Sequence, residues 1–261
     1  MPKELLERVD AAAERFLAEY QNFAAVETLQ QTLWTRGGKS AQKRQIVSEY
    51  WLLRLLSNPR ELAEFRDVVS VDGQAKQDAA LREQKRAKIS AATPRGEIVA
   101  LIEDPTKYRL GSERLANAAL LVTRLTARHA DKLRFFFAQD TSDVPTETVL
   151  LGYRQFTGDG LIEVDGAAVY PTGQAWVEPN TGRVHRIEEE FRQKNTRYWV
   201  AVEFGDERVA GAWLPQQITV RIFEKGKLAR EDVYLYANYR RVDEEGRAEA
   251  AAGPPKPKPR E

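Results

Sequence analysis

The stretch GQAWVEPNTGRVHRIE, Gly173–Glu188, decides how the second half of the chain is read. Alternating runs of strand-forming residues flank Pro179-Asn180-Thr181-Gly182. Pro179 pre-sets φ at a turn corner, Asn180 and Thr181 suit the bend, and Gly182 takes the left-handed position that a β-carbon disfavours. The spacing therefore predicts a hairpin with positive φ at Gly182. The stretch holds no reactive constellation, so its role is architectural: it keeps a sheet in register and turning.

The same pattern repeats outward from this hairpin. From Leu133 onwards the period is two, and strand-like runs such as LRFFFA, RYWVAVEF and QQITVRIFE are separated by Gly, Asp, Asn or Pro clusters. Tyr198, Val200, Val202 and Phe204 fall on one side of their run. Ile218, Val220 and Ile222 do the same, as do Val233, Leu235, Ala237 and Tyr239. Glu203, Thr219, Arg221 and Asn238 take the other side. One wet face and one covered face mark antiparallel pairing. Upstream, AAVETLQQTLWTR and RQIVSEYWLLRLL flank a turn at Gly37-Gly38, and FRDVVSV ends at the turn dipeptide Asp72-Gly73. Lys3 to Tyr20 reads as an amphipathic helix, with Leu5, Leu6, Val9, Phe16 and Leu17 at helical spacing. Residues of about 74–131 have helical composition punctuated by Pro94 and Pro105. There Ser112 is the expected N-cap of a helix carrying Leu115, Ala118, Ala119, Val122 and Leu125.

These readings give an α+β fold: a strongly curved antiparallel sheet, a half-open barrel, wrapped over helices. Residues 1–243 form the expected single domain, with the helical insert of about 74–131 covering the apolar face of the sheet. Residues 244–261, EEGRAEAAAGPPKPKPRE, carry Ala, Gly, Pro and charge but no core-forming side chain, and are expected to be a disordered Pro/Lys-rich tail.

Chemistry is excluded more readily than assigned. The chain has no cysteine, which removes thiolate catalysis, disulfides and cysteine metal sites. Its net charge of +1, with 30% charged and 42% hydrophobic residues, gives no reason to expect nucleic acid as a partner. No apolar run reaches the ~18 residues of a spanning helix, and the N-terminus lacks the apolar core of a signal peptide. His129 sits near a helix end, where the dipole favours its charge; His185 alternates in a polar strand. Asp159 and Asp165 lie among glycines without the ligand spacing of a calcium loop. Glu188 and Glu190 share a strand face, as many solvent-facing acid pairs do. No enzyme, cofactor or metal is expected. The aromatic residues, above all Phe135–Phe137 and the five tryptophans, read first as sheet core and second as the lining of an apolar pocket.

FRDVVSVDG, GQAWVEPNTGRVHRIE, AGAWLPQQITVRIFEKGK and VYLYANYRR, in this order behind an N-terminal helix, resemble the outer-membrane lipoprotein-sorting proteins. These form the LolA/LolB/RseB-like superfamily of bacterial envelope proteins, and more narrowly the chain resembles envelope proteins of this type from acidobacteria-like genomes. The resemblance implies a half-barrel around helices that binds lipid or lipoprotein acyl chains, or senses envelope stress, in a hydrophobic cavity. On this chain the cavity candidates are Leu121, Val122, Leu125, Phe135, Phe137, Tyr198, Val200, Val202, Ile218, Val220, Val233 and Leu235. The expected partner is an acyl chain or an envelope lipoprotein. The expected protein is a monomer of the periplasm or cell envelope if a signal peptide has been removed, or of the cytoplasm if none existed. A ligand-free scaffold or stress-sensing module of the same fold is the alternative.

The tail gives a first test. Deleting Glu245–Glu261 should leave Tm unchanged within a few degrees in a thermal melt, because the tail has too little apolar surface to offset its ordering entropy.

Overall fold

The structure is a computed structural model that describes residues 3–35, 41–58, 62–111, 117–137, 147–164, 167–207 and 212–242. The expectations for Gly37-Gly38, Ser112, Leu115 and the tail lie outside these residues.

Helix α1 (Lys3–Glu19) is followed by strands β1 (Phe23–Trp34), β2 (Ala41–Arg54), β3 (Leu62–Val71) and β4 (Gln74–Ala75). Helices α2 (Ala79–Arg86), α3 (Arg95–Leu101) and α4 (Ala118–Thr123) come next, with 3-10 turns at Pro105–Lys107 and Ala127–His129. Strands β5 (Leu133–Phe137), β6 (Val149–Gln155), β7 (Ile162–Val164), β8 (Ala167–Val169) and β9 (Thr172–Val177) follow. The long strands β10 (Val184–Gln193), β11 (Thr196–Glu207), β12 (Ala212–Glu224) and β13 (Lys227–Arg241) close the described chain.

Eleven strands form one antiparallel sheet in the order β4-β3-β2-β1-β13-β12-β11-β10-β9-β6-β5, and β7-β8 form a small separate hairpin. The run β9 to β13 is a meander. β1 then adds beside β13, so that N- and C-terminal strands pair in the middle of the sheet. One apolar cluster joins Ile46 of β2 and Val68 of β3 to Leu133 of β5, with Leu5, Val9 and Ala13 of α1 at its centre. Residues near opposite edges can share one cluster only if the sheet curls, so this face is the inside of a half-open barrel.

The sequence places the helical insert on one face. The structure divides it. α4 joins α1 inside, through Ala118, Leu121 and Val122. α2 and α3 lie on the outer face of β1–β3, where Ile89 and Ile98 pack on Trp51, Leu53, Ala63 and Phe65 in a second core. β1–β3 are thus covered on both faces, which is why β2 ends in the continuous apolar run YWLL rather than in alternation. The chain crosses between faces around the β3 edge. There the Glu103 carbonyl accepts from Val68 N at 3.0 Å, and Glu103 N donates to Asp67 Oδ1 at 2.6 Å. α4 is also shorter than the apolar stripe implies. Asn117 caps it by accepting from Leu120 N, and the chain tightens into 3-10 geometry where Leu125 N donates to the Val122 carbonyl. Thr123 and Thr126 turn their hydroxyls back onto the carbonyls three residues earlier, which competes with helix continuation.

The opening hairpin is β9–β10. Gly182 has φ +74° as the sequence requires, and its N–H donates to the Glu178 carbonyl at 2.9 Å. The turn also carries α1. A β-carbon on Gly182 would lie 2.2 Å from the Arg8 carbonyl oxygen and 2.7 Å from Val9 N. Arg8 Nε donates to the Pro179 carbonyl at 2.9 Å.

Two glycines therefore separate the two costs. At Gly226 (φ +80°) a β-carbon meets nothing within 4 Å, so Gly226→Ala should cost only the backbone term, about 1 kcal/mol in urea melts. Gly182→Ala adds a clash with helix backbone and should cost at least about twice that.

Candidate ligand cleft

The inner face has two halves. Under β6, β9, β10, β11 and β12 it is apolar: Leu151, Ala175, Val177, Ile187, Val200, Val202, Ile218 and Val220 are buried against α1 and α4. Under β13, β1, β2 and β3 it carries charge. Glu27, 2% exposed, takes Arg66 Nε on both carboxylate oxygens at 2.8 and 2.9 Å. Arg66 also donates to Glu64 at 3.0 Å and lies over the Tyr50 ring. Next to this cluster Asp232 accepts from Gln31 Nε2 at 3.0 Å, from Arg230 Nε at 2.9 Å and from Arg109 at 3.2 Å. Arg109 donates also to the Tyr234 hydroxyl at 2.6 Å. Three carboxylates, Glu27, Glu64 and Asp232, thus meet three guanidiniums, Arg66, Arg109 and Arg230, and their charge cancels. Burial pushes the Tyr234 hydroxyl up to about 12 against the opposing pull of Arg109, and burial likewise raises Tyr20, Tyr50 and Tyr236. These phenols stay neutral and serve as hydrogen-bonding walls.

A further buried ion pair is the polar exception inside the apolar half. Arg124, just past α4, donates to Glu189 of β10 at 3.2 Å, and Tyr153 of β6 donates to the same oxygen at 3.0 Å. Burial raises the Glu189 carboxyl above its ordinary range; Arg124 and Tyr153 oppose that rise without cancelling it.

The inner face opens at the end where α1 meets the β9–β10 turn. A cleft of about 400 Å³ lies there. Its floor is Ala12, Ala13 and Phe16 of α1, Val122 of α4, Val184 and Phe204. Arg15, Glu19, Thr181, Arg183, Asp206 and Trp213 form the rim. Trp213 is fixed by its indole N–H, which donates to the Val184 carbonyl at 2.7 Å, and by Arg183 stacked over its ring at 4.9 Å. His185 meets the Trp213 ring edge-on, and its Nε2 lies 2.7 Å from Glu178. The Thr181 hydroxyl holds the Glu178 carboxyl below its usual range, with His185 adding to that effect.

Eight of the twelve cavity candidates lie together in the apolar inner cluster: Leu121, Val122, Leu125, Tyr198, Val200, Val202, Ile218 and Val220. Only Val122 lines the cleft. Phe135 packs on the cluster's margin against Tyr153, and Phe137 is 44% exposed at the sheet edge. Val233 and Leu235 fall on the outer face, opposite Thr219 and Gln217. The inner residues of β13 are Arg230, Asp232, Tyr234 and Tyr236. A bulge at Asn238 (φ +55°) then brings Tyr239 inside too. That bulge is why Tyr239 seemed to belong with Val233 and Leu235. The cleft residues Phe16, Val184, Phe204 and Trp213 carry no sequence signal that would gather them. Glu188 and Glu190 lie on the outer face, tied to Arg186 and Arg197. Among the described residues no group of three His, Cys, Asp or Glu could hold a metal ion, and no helix is long and apolar enough to cross a membrane.

Solved structures with a similar course include an outer membrane lipoprotein-sorting protein domain from Vibrio parahaemolyticus (TM-score 0.37, 11% identity, 90% of this chain and 93% of that one). A LolA superfamily protein from Nitrosomonas europaea gives 0.38 and 11% over 92% and 93%. A DUF1329 family protein from Desulfovibrio piger gives 0.40 and 10% over 90% and 92%. No family profile matches the sequence, and no curated protein matches it. The functional reading rests on the chain's own side chains.

The Glu189 site yields a pH prediction. A carboxyl whose folded pKa is raised contributes stability that is complete below its unfolded pKa and is lost as pH rises through the folded value. Glu189→Gln has no such contribution. Its stability deficit relative to wild type, from urea melts, should therefore be largest near pH 4 and narrow towards pH 7.

Proposed function

We propose that this protein is a non-enzymatic binding protein of the bacterial periplasm or cell envelope that takes an apolar, acyl-chain-type ligand, free or carried on a lipoprotein. The observation that carries this reading is the cleft between α1 and the β9–β10 turn, with its apolar floor running into the apolar half of the inner face. Its volume of about 400 Å³ is in the range of small-ligand sites. In this reading the ligand enters over Phe16 and Phe204 and advances by displacing α1 from Val122 and the strands beneath. The charged half of the inner face is held by its own ion pairs and takes no part.

A specific observation favours the alternative, a scaffold or stress-sensing module without ligand. The inner face is occupied by side chains of α1 and α4.

Titration with a long-chain fatty acid and with a lipid-like fluorescent dye separates the two. The ligand reading expects saturable binding, and it expects Ala12→Trp, which fills the cleft from a half-buried position, to weaken binding at least about tenfold (~1.4 kcal/mol) while leaving Tm nearly unchanged. Absence of saturable binding by the folded wild type removes the carrier and leaves the scaffold.

A further inference from the structure

The two edges of the sheet are finished differently. On one side β3 is covered by β4 at Ser70–Val71, and the crossing chain caps Val68 N through the Glu103 carbonyl. On the other side β5 is the last strand, and among the described residues no strand pairs with its outer side. It is also unguarded by charge: of Leu133–Phe137 only Arg134 is ionised. Phe136 and Phe137 are 45% and 44% exposed, one on each face of the strand, and neighbouring Phe156 is 46% exposed.

The hydrogen-bond alternation fixes what this edge offers. Phe156 N donates to the Lys132 carbonyl at 3.1 Å, which continues the β5–β6 register in which Leu133 faces Gln155. Bonded and non-bonded pairs alternate in an antiparallel ladder. Arg134 and Phe136 therefore bond towards β6, and Leu133, Phe135 and Phe137 turn their N–H and C=O groups to the open side.

We propose that two copies of this chain dimerise by antiparallel pairing of their β5 edges about a two-fold axis through Phe135. In that register all three outward-facing residues, Leu133, Phe135 and Phe137, meet outward-facing residues of the other copy. A shift of one residue sets outward groups against inward ones, and a shift of two loses one of the bonded pairs. The side chains are self-complementary in the same register, as an isologous interface requires. Phe135 meets its own counterpart and Leu133 meets Phe137. Arg134 meets Phe136 in both directions, repeating the guanidinium-over-ring contact that it already makes with Phe156 at 4.4 Å. No like charges are opposed. That self-match selects a second copy over an unrelated strand. It is independent of the ligand reading, and it makes the monomer expected from the sequence the dissociated form.

Sedimentation velocity on the full chain, from about 5 µM to about 1 mM, tests this. A short edge interface predicts a concentration-dependent dimer with Kd on the order of 10–100 µM. Phe136→Lys places like charges opposite Arg134, and Phe137→Pro removes an outward N–H without breaking a bond in the monomer. Both variants should sediment as monomers with the circular dichroism and Tm of wild type, and amide exchange at Phe135 and Phe137 should slow as the wild-type dimer forms. A wild type that stays monomeric to about 1 mM overturns the proposal. So does a dimer that survives both substitutions, or one that leaves those amides unprotected.

Discussion

The contact between Gly182 and the backbone of α1 at Arg8–Val9 sets the architecture of the inner face. A curled sheet needs something inside it, and here the filler is one amphipathic helix seated on one hairpin turn. The helix comes close enough that a β-carbon would have no room. The seat is directional as well as close, since Arg8 donates to the Pro179 carbonyl and Asp10 accepts from Ala127 N on the other flank. With α1 fixed at that height, Leu5, Val9 and Ala13 reach the apolar strands, and Ala12 and Phe16 are left to floor the cleft. The turn residues and the cleft are consequences of the same approach.

The inner face beyond α1 follows a different rule. Glu27, Arg66, Asp232, Arg109 and Arg230 are almost wholly withdrawn from water. Ions in such a place cost several kcal/mol each unless they are paired and hydrogen-bonded. Each of these is, and with Glu64, which takes a further nitrogen of Arg66, the charges of the group sum to zero. Such a network adds little net stability over an apolar core, but removing one partner strands the other, so it constrains which strands can be neighbours. Glu27 of β1 requires Arg66 of β3 two strands away, and Asp232 of β13 requires Gln31 of β1 and the crossing segment at Arg109. These pairings join the first and last strands of the chain across the middle of the sheet.

The sequence shows the meander clearly, because strands such as β11 set Tyr198, Val200, Val202 and Phe204 at period two on the buried face and the turns carry Gly, Asn or Asp. It shows the Gly182 turn for the same local reason. It does not show the division of the insert between two faces. α2 (AALREQKR) is far more charged than α4 (AALLVT), but that contrast does not say which face of the sheet each covers; the crossing of the chain at Glu103, held to Asp67 and Val68 of β3, does. It misplaces Val233 and Leu235 because the Asn238 bulge restarts the alternation, and because the true inner residues of β13 include Arg230 and Asp232, which alone read as solvent-facing. The cleft was invisible for a further reason. Phe16, Val122, Val184, Phe204 and Trp213 come from five separate segments, and only the docking of α1 brings them together.

Whether the inner face can admit a chain is a question of exchange. Displacing α1 exposes Leu5 and Val9, with Phe16 and Leu17 partly buried beside them, at roughly 1.5–3 kcal/mol for each fully buried side chain. An acyl chain that took their place would regain ~0.8 kcal/mol per methylene. About ten methylenes would thus offset the loss, without any change in the ion-paired half of the sheet. The fold therefore separates two tasks. The charged half, β13-β1-β2-β3, fixes the topology and cannot be opened without stranding ions. The apolar half, β6 and β9–β12, is closed mainly by apolar contacts that a hydrocarbon can replace, with the Arg124–Glu189–Tyr153 group and the two polar ties of α1 as its polar exceptions, and the cleft lies where that replacement would begin.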